Sequence, residues 1–145
     1  MIFRNCAGGV VFFEEKVLLL KNEKNEWVLP KGAIRNGDLS SDVALNRVKE
    51  EAGVDAEIIS SVGETCYEFF SVKRRKAVCN QIGWYLMKAK NDSCSLNKRF
   101  DFKKVGFFPI GEALEKITHR QDQSLVRLSY NKYKELEFGA VEVMV

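Results

Sequence analysis

The sequence predicts one mixed α/β domain, with most of its strands placed before or around a single central helix. Two observations support this fold class. Short apolar runs of strand length alternate with polar turns along much of the chain. One segment near the middle has helical spacing and clear punctuation at both ends. The 145 residues, 46% hydrophobic and 30% charged with two prolines, suit a single globular domain over residues 1–145.

Three strands are predicted in the first thirty residues. Residues 7–13 and 17–20 are apolar runs separated by a short polar turn, which is typical of two strands joined tightly. Residues 26–29 form a brief β-prone segment that Pro30 ends. A glycine-containing loop is expected to follow from residue 31 to residue 38.

The central helix is predicted over residues 41–52. Ser40, Ser41 and Asp42 offer hydroxyl and carboxylate caps at its start. Gly53 ends the helical spacing and is a suitable C-terminal cap.

The second half of the chain continues the alternation of strands and helices. Strands are predicted at residues 57–59, 65–72, 77–89 and 105–109, and helices at residues 110–117 and 122–136. The second and third of these strands are expected to form a hairpin across the basic turn 73–76. Residues 138–145 are predicted to be a tail or an additional strand.

The composition excludes several classes of function. The 23 lysines and arginines against 20 acidic residues give a net charge of +3, which by itself is too small to indicate a nucleic-acid binder and leaves a polyanionic small molecule open. No segment approaches the roughly 18 consecutive apolar residues of a membrane-spanning helix. The first six residues lack a secretory signal, so we expect a cytoplasmic protein.

The cysteines indicate neither zinc nor disulfides. They form no CxxC pair and no group with the single histidine, so we expect reduced thiols buried in strands. The four are Cys6, Cys66, Cys79 and Cys94.

Residues 27–54 carry the chemistry. Glu50 and Glu51 are adjacent carboxylates near a helix end, and clustered oxygen atoms are the ligands that Mg²⁺ prefers. Lys31 lies where its ammonium group could meet a phosphate beside that metal. A glutamate pair alone is more often a solvated helix face.

This segment resembles the box of the Nudix hydrolase family, Gly-x5-Glu-x7-Arg-Glu-aliphatic-x-Glu-Glu-x-Gly-aliphatic. The match runs without a gap from Gly32 to Gly53, and flanking segments extend it over roughly residues 4–136. The resemblance implies an α/β/α sandwich with a mixed β-sheet between helices. It also implies a Mg²⁺ (or Mn²⁺) cofactor held by Glu50 and Glu51, with Asp38 as a further candidate.

Three residues depart from the box. Asp38 and Asn46 replace a glutamate and an arginine, and Arg47 replaces the first glutamate of the core. Positions 47, 50 and 51 share one helix face, so a guanidinium stands where the family presents a third carboxylate. Asp38 keeps an acceptor-only side chain, which could bind the loop backbone or reach the metal through water.

The replacement at Arg47 has three interpretations. Two unit charges about 4 Å apart interact by roughly 4 kcal/mol at an effective dielectric near 20, so a cation here opposes metal binding. Arg47 could pair with Glu50 or Glu51, or it could clamp a substrate phosphate directly. Alternatively, a carboxylate from elsewhere completes the cluster. The candidates for that role are Glu64, Glu68, Asp101 and Glu112.

The resemblance implies Mg²⁺-dependent hydrolysis of a pyrophosphate bond in a nucleoside diphosphate linked to another moiety. The nearest members are diadenosine polyphosphate hydrolases and diphosphoinositol polyphosphate phosphohydrolases. The predicted catalytic residues are Glu50, Glu51 and Arg47, and the predicted substrate-binding residues are Lys31, Gly32, Arg4, Arg74 and Arg75. The alternative is an impaired Nudix domain that binds a nucleotide or polyphosphate without cleaving it. We expect a monomer or homodimer with no membrane or nucleic-acid partner.

Two other features have a structural and a functional interpretation. The turn at residues 73–76 is either a solvated hairpin tip or a contact for a polyphosphate or nucleotide tail, and nucleic-acid binding through this turn is a third option. The aromatic side chains of Tyr67, Phe69 and Phe70 either belong to the core or stack on a base. His119 is expected to be exposed.

Overall fold

A computed structural model describes residues 1–139 and contains a seven-stranded sheet between helices. The strands are β1 (Ile2–Phe13), β2 (Lys16–Lys21), β3 (Trp27–Val28), β4 (Lys31–Ala33), β5 (Ala56–Ser71), β6 (Lys76–Ala89) and β7 (Lys104–Pro109). The helices are α1 (Ser40–Ala52), α2 (Ile110–Lys116) and α3 (Arg120–Lys134), and a π-helical turn follows at Glu135–Gly139. The predicted tail lies outside the described residues from residue 140 onward. Within residues 1–139, no helix combines the length and hydropathy needed to cross a membrane.

Strand β1 is the centre of the sheet. It pairs in parallel with β6 and antiparallel with β2 and β4, and β5 pairs with the outer edge of β6. Strands β3 and β7 both pair with β2. In β4, Lys31 is opposite Gly8 and Gly32 is opposite Ala7. This pairing places the start of the predicted loop in the middle of the sheet.

The core lies on both faces of the sheet because successive side chains of β1 point in opposite directions. Ala7 and Val11 belong to an apolar cluster with α1, whereas Val10 and Phe12 belong to a second cluster with α2 and α3. The ring of Phe12 stacks on Tyr133, with ring centres 4.8 Å apart. Fully burying a side chain of this size stabilises the fold by about 1.5–3 kcal/mol. The predicted sandwich of helices around a mixed sheet is confirmed.

The prediction of two strands at residues 57–59 and 65–72 is wrong, because they form one 16-residue strand, β5. Residues 60–64 include serines, a glycine and a glutamate, and they lack the apolar signal of a strand. They nevertheless remain paired with β6 through two register shifts, one of them beside Gly63, whose φ is +107°. At an edge strand with an exposed face, backbone pairing needs no apolar side chain on that face.

The boundaries of the helices differ slightly from the prediction. Helix α1 begins at Ser40, and its N-cap residue Leu39 provides no side-chain hydrogen bond. The Ser40 hydroxyl bonds to the Tyr85 hydroxyl instead of capping the helix. At the other end, Gly53 caps α1 as predicted, with φ +67° and its N–H donating to the Lys49 carbonyl at 2.9 Å. Helix α3 begins at Arg120, two residues earlier than predicted.

Three local predictions need correction. Residues 31–33 of the predicted loop are strand β4. Cys66 is exposed on β5 and Cys94 is half-buried outside any strand, so only Cys6 and Cys79 are buried strand thiols. His119 is half-buried rather than exposed, because it lies at the start of α3 against the loop that follows β2.

Candidate active site

Gly32 is the point where β4 meets α1, and the Arg47 side chain lies directly across it. A Cβ atom built on Gly32 would stand 2.5 Å from Arg47 Cγ and 2.7 Å from Arg47 Cδ. Real Cβ contacts are not that short, so only glycine at position 32 leaves room for the Arg47 side chain in this position. The first glycine of the motif is therefore required by packing between β4 and α1.

Arg47 is held by two partners beyond Gly32. Its Nη1 atom lies 3.7 Å from Oε2 of Glu51, one helical turn later, and its guanidinium carbon lies 5.2 Å from the ring centre of Phe100. The side chain is 29% exposed, so one edge of the guanidinium still faces solvent. Of the three interpretations of Arg47, the structure shows the ion pair with Glu51.

Glu51 is the buried carboxylate of the site. It is only 4% exposed, and its Oε1 atom has no hydrogen-bond partner. Burial raises its pKa from the ordinary 4.5 to about 7, with a smaller contribution from Glu50. The positive charges of Arg47 and Lys31 and a hydrogen bond from the Lys31 backbone N–H oppose this rise. Glu51 is thus poised to gain a cationic partner at Oε1.

The raised pKa of Glu51 predicts that stability falls with increasing pH. Between pH 4.5 and about 7 the folded chain binds one more proton than the unfolded chain, so the free energy of unfolding decreases over this window and is level above it. Glu51→Gln removes the carboxyl group that titrates, so the variant lacks this pH dependence. In urea unfolding with EDTA, the free energy of unfolding of the variant relative to the original chain should therefore be a few kcal/mol higher at pH 7.5 than at pH 5. An equal difference at both values would contradict the raised pKa.

Glu50, the second glutamate of the pair, is exposed on α1. Its backbone carbonyl accepts a hydrogen bond from the Asn97 side-chain amide at 3.1 Å. Asn97 begins a short segment that also carries Phe100 under Arg47 and Phe102 in the wall of the cleft. The loop before β7 is therefore anchored to the end of α1.

A cleft of about 560 Å³ opens beside Glu51. Its walls come from the segments after β2 and β3, from β5 and β6, from the loop before β7 and from the start of α3. The lining includes Lys31 and Glu51 from the motif, Tyr67 and Asn80 from the hairpin, Phe102, and residues 119–122. Its volume is in the range of small-molecule sites, and it combines aromatic faces with charged groups of both signs.

Two ionisable side chains at the start of α3, Asp122 and His119, contribute to the electrostatics of the cleft. Asp122 is 7% exposed and its pKa is raised by burial, an effect that the charges of Lys31 and His119 oppose. His119 Nε2 lies 3.5 Å from Glu26 Oε2, and its ring centre lies 5.6 Å from that of Tyr67. The cleft therefore has a second buried carboxyl group, next to a histidine and an aromatic ring.

The contact between Gly32 and Arg47 gives a stability prediction. Gly32→Ala forces the Arg47 stem out of its position, and overpacking of this kind costs about 1–3 kcal/mol. Urea denaturation should show that loss. Gly111→Ala is the matched control, because Gly111 lies in the first turn of α2 and a Cβ there meets nothing within 4 Å. Equal stability of the two variants would contradict the packing role of Gly32.

The structure brings some of the predicted site residues together and leaves others apart. Lys31 and Glu51 line the cleft, and Gly32 and Arg47 contact each other beside Glu51. Glu50 is exposed on α1, next to Glu51 in the sequence. The remaining predicted residues are not among those that line the cleft. Arg4 is half-buried in β1, Asp38 Oδ2 accepts from the Arg35 backbone N–H at 3.2 Å, and Arg74 and Arg75 are exposed on the hairpin turn.

No described carboxylate forms a three-membered ligand group with Glu50 and Glu51. Within residues 1–139, the one group of three metal-ligating side chains with ligand atoms within 4.8 Å of one another is Cys66, Glu68 and Cys79. Because side chains alternate along a strand, this group faces away from Thr65 and Tyr67, which line the cleft.

Sequence reasoning missed several cleft residues. Asn80, Phe102 and Asp122 of the cleft lining were not singled out. Phe100, which lies against Arg47, was missed as well, because residues 100–102 belong to a segment without periodicity. Their contribution depends on contacts between segments distant in sequence. The one local signal available for Asp122 was its place in the first turn of a predicted amphipathic helix.

A family model described as NUDIX domain matches residues 3–128, and the chain belongs to the Nudix hydrolase family. One relative, "Putative mutator protein MutT4" of Mycobacterium tuberculosis (strain CDC 1551 / Oshkosh), is 26% identical over 103 residues, which are 71% of this chain. The chain spans only 40% of that relative's length.

Solved structures of Nudix hydrolases share the fold. An Ap4A hydrolase from C. elegans, in a binary complex, superposes with a TM-score of 0.69 at 19% identity, covering 90% of this chain and 96% of its own. An ADP-ribose pyrophosphatase from Streptococcus suis 89-1591 gives a TM-score of 0.66 at 21% identity, with 90% and 92% covered. The dihydroneopterin triphosphate pyrophosphohydrolase of E. coli gives 0.71 at 15% identity, with 87% and 95% covered. At these identities the likeness establishes the fold.

Proposed function

We propose that this chain hydrolyses the pyrophosphate bond of a nucleoside diphosphate linked to another moiety, such as a dinucleoside polyphosphate, with Mg²⁺ or Mn²⁺ as cofactor. The observation that carries the proposal is Glu51 Oε1, a buried carboxylate oxygen without a hydrogen-bond partner beside a cleft that also contains Lys31. An unsatisfied buried carboxylate is costly unless a cation joins it.

The residues present fit a divalent cation at the end of α1. Glu51 supplies a buried oxygen and Glu50 an adjacent exposed one, and both are hard ligands of the kind Mg²⁺ takes. Asp38 stays a predicted further ligand. When bound, the ion neutralises charge on the phosphates and lowers the pKa of the attacking water.

Side chains of the chain itself bind the phosphates, orient Glu51 and accept a proton. Lys31 binds a phosphate oxygen from the wall of the cleft. Arg47 orients Glu51 through their ion pair and offers its solvent-facing edge to a second phosphate oxygen. One of the two glutamates, or a carboxylate from a later loop, accepts the proton of the attacking water.

The distal part of the substrate is proposed to occupy the rest of the cleft. Tyr67 and Phe102 offer aromatic faces, and a volume of about 560 Å³ is large enough for a nucleoside. Arg4, Arg74 and Arg75 stay predicted contacts for the polyphosphate chain. Because the turn carrying Arg74 and Arg75 does not line the cleft, a long substrate would be needed to reach it.

A second function is favoured by one specific observation. The Arg47 guanidinium lies 3.7 Å from Glu51 and already supplies positive charge where a metal ion would bind. A site balanced in this way could hold a polyphosphate through Lys31 and Arg47 without cleaving it. The fold is compatible with both functions, because activity depends on the residues of the site.

A substrate panel separates the two functions. The protein is incubated with Mg²⁺ or Mn²⁺ and with diadenosine polyphosphates, ADP-ribose, nucleoside triphosphates and inositol pyrophosphates, and the products are separated by chromatography. Turnover of a compound with a nucleoside diphosphate group supports hydrolysis. A ligand that raises the melting temperature yet is recovered intact supports the binding module.

A further inference from the structure

Cys66 and Cys79 form a pair of thiols on the β5–β6 hairpin, away from the cleft. Cys66 is opposite Gln81 and Cys79 is opposite Glu68, so the two cysteines are diagonal neighbours across the strands. Their Sγ atoms are nevertheless only 2.7 Å apart. Cys66 is exposed, whereas Cys79 is 4% exposed. One sulfur of the pair is therefore accessible to a reagent, and the other is in direct contact with it.

We propose that Cys66 and Cys79 are an oxidation site, at which a low-molecular-weight disulfide converts the two thiols into a reversible intramolecular disulfide. A protein disulfide has sulfur atoms about 2.05 Å apart, so the two Sγ atoms need to approach by less than about 1 Å. The paired strands already hold the backbone on both sides of the pair. The proposal does not depend on the proposed hydrolase activity.

The same geometry argues against a metal as the natural occupant. Glu68 completes a group of three ligand atoms with the two sulfurs. Two thiolates on one tetrahedral zinc ion, each about 2.3 Å from it, stand roughly 3.7 Å apart. The observed 2.7 Å is well below that separation and is closer to a covalent pair.

The exchange follows from the difference in accessibility. The exposed Cys66 thiolate attacks one sulfur of the small disulfide RSSR, so a bond forms at Cys66 Sγ and RS⁻ leaves. The Cys79 thiolate then attacks Cys66 Sγ and displaces the second RS⁻. The two cysteines lose two electrons and two protons, and the small disulfide becomes two RSH molecules.

Close contact with Cys66 and burial raise the pKa of the Cys79 thiol, which makes Cys79 a poor first attacker on the small disulfide.

A Cys66–Cys79 disulfide would join β5 to β6 on the face of the hairpin opposite the cleft. Thr65 and Tyr67 flank Cys66, and Asn80 follows Cys79, and all three line the cleft. A disulfide across residues 66–79 closes a short loop and restricts the unfolded chain. We expect oxidation to raise the melting temperature by about 10 °C, and dithiothreitol to reverse the change.

The test treats the full chain with uncharged 2-hydroxyethyl disulfide, blocks free thiols under denaturing conditions and maps the peptides by mass spectrometry. The expected result is a loss of two hydrogens, located in a Cys66–Cys79 link, with Cys6 and Cys94 still alkylated. Cys66→Ser should abolish the link and the melting shift, and Cys94→Ser should retain both. Because Cys66 is exposed, its variant should fold normally.

Three outcomes would overturn the proposal. One is a mixed disulfide that persists on Cys66 without being resolved by Cys79. Another is a link that maps to other cysteines. The third is that neither thiol is oxidised. If the untreated protein contains one equivalent of Zn²⁺ that protects both thiols, Cys66, Glu68 and Cys79 form a metal site instead.

Discussion

Glu51→Gln is expected to lower kcat by about 100-fold or more on whichever pyrophosphate substrate the panel identifies. The substitution keeps the shape of the side chain but removes the charge that would hold a divalent cation at Oε1. It also removes the partner of Arg47 and the acceptor of the proposed proton. The KM should change less than kcat, because Lys31 still binds phosphate.

Glu115→Gln is the matched control for this substitution. Glu115 is exposed on α2, so its variant loses the same charge on a surface away from the cleft. Both variants should unfold cooperatively in EDTA, and only Glu51→Gln should lose activity. Full activity of Glu51→Gln would remove Glu51 from the mechanism.

Arg47→Glu is expected to tighten Mg²⁺ binding about 10-fold or more. The change replaces a cation 3.7 Å from Glu51 with a carboxylate on the same helix face. Coulomb's law gives roughly 4 kcal/mol for such a pair at an effective dielectric near 20, and partial exposure reduces it, but a 10-fold change needs only about 1.4 kcal/mol. Titration calorimetry with MgCl₂ measures the affinity.

Two further variants test whether the change in Mg²⁺ affinity comes from the position of Arg47 or only from the net charge of the protein. Arg47→Met removes the charge but keeps an unbranched stem over Gly32, so it should tighten Mg²⁺ binding by a smaller factor. Arg127→Glu makes the same charge change at an exposed position of α3 and should leave the affinity almost unchanged. Equal Mg²⁺ affinity in Arg47→Glu and the original chain would show that Arg47 does not oppose the metal.

The order and type of most elements could be predicted from local signals. Apolar runs identified β1, β2 and β6, and the spacing up to Gly53 identified α1. The continuity of β5 could not be predicted, because residues 60–64 have one apolar side chain, Val62, and are held by backbone bonds to β6. Strand β4 was missed because its three residues owe their strand structure to pairing with β1.

The candidate site was predicted where it depends on one helix and failed where it depends on distant segments. Helical spacing alone placed Arg47 on the face of Glu51, as the structure shows. It could not show that Glu51 is buried and Glu50 exposed, nor that Phe100 lies against Arg47, because those facts depend on β4 and on the loop before β7. The half-buried position of His119 likewise follows from its contacts with Glu26 and Tyr67.

The central claim is that a Nudix domain with Arg47 in the helix proposed to hold the metal still cleaves a pyrophosphate bond. The most direct measurement is mass spectrometry of the products formed from diadenosine tetraphosphate in H₂¹⁸O, with MgCl₂ or with EDTA. We predict one ¹⁸O atom in a product nucleotide, formed with MgCl₂ and absent with EDTA. Recovery of the intact, unlabelled dinucleotide after prolonged incubation with MgCl₂, despite its binding to the protein, would contradict the claim.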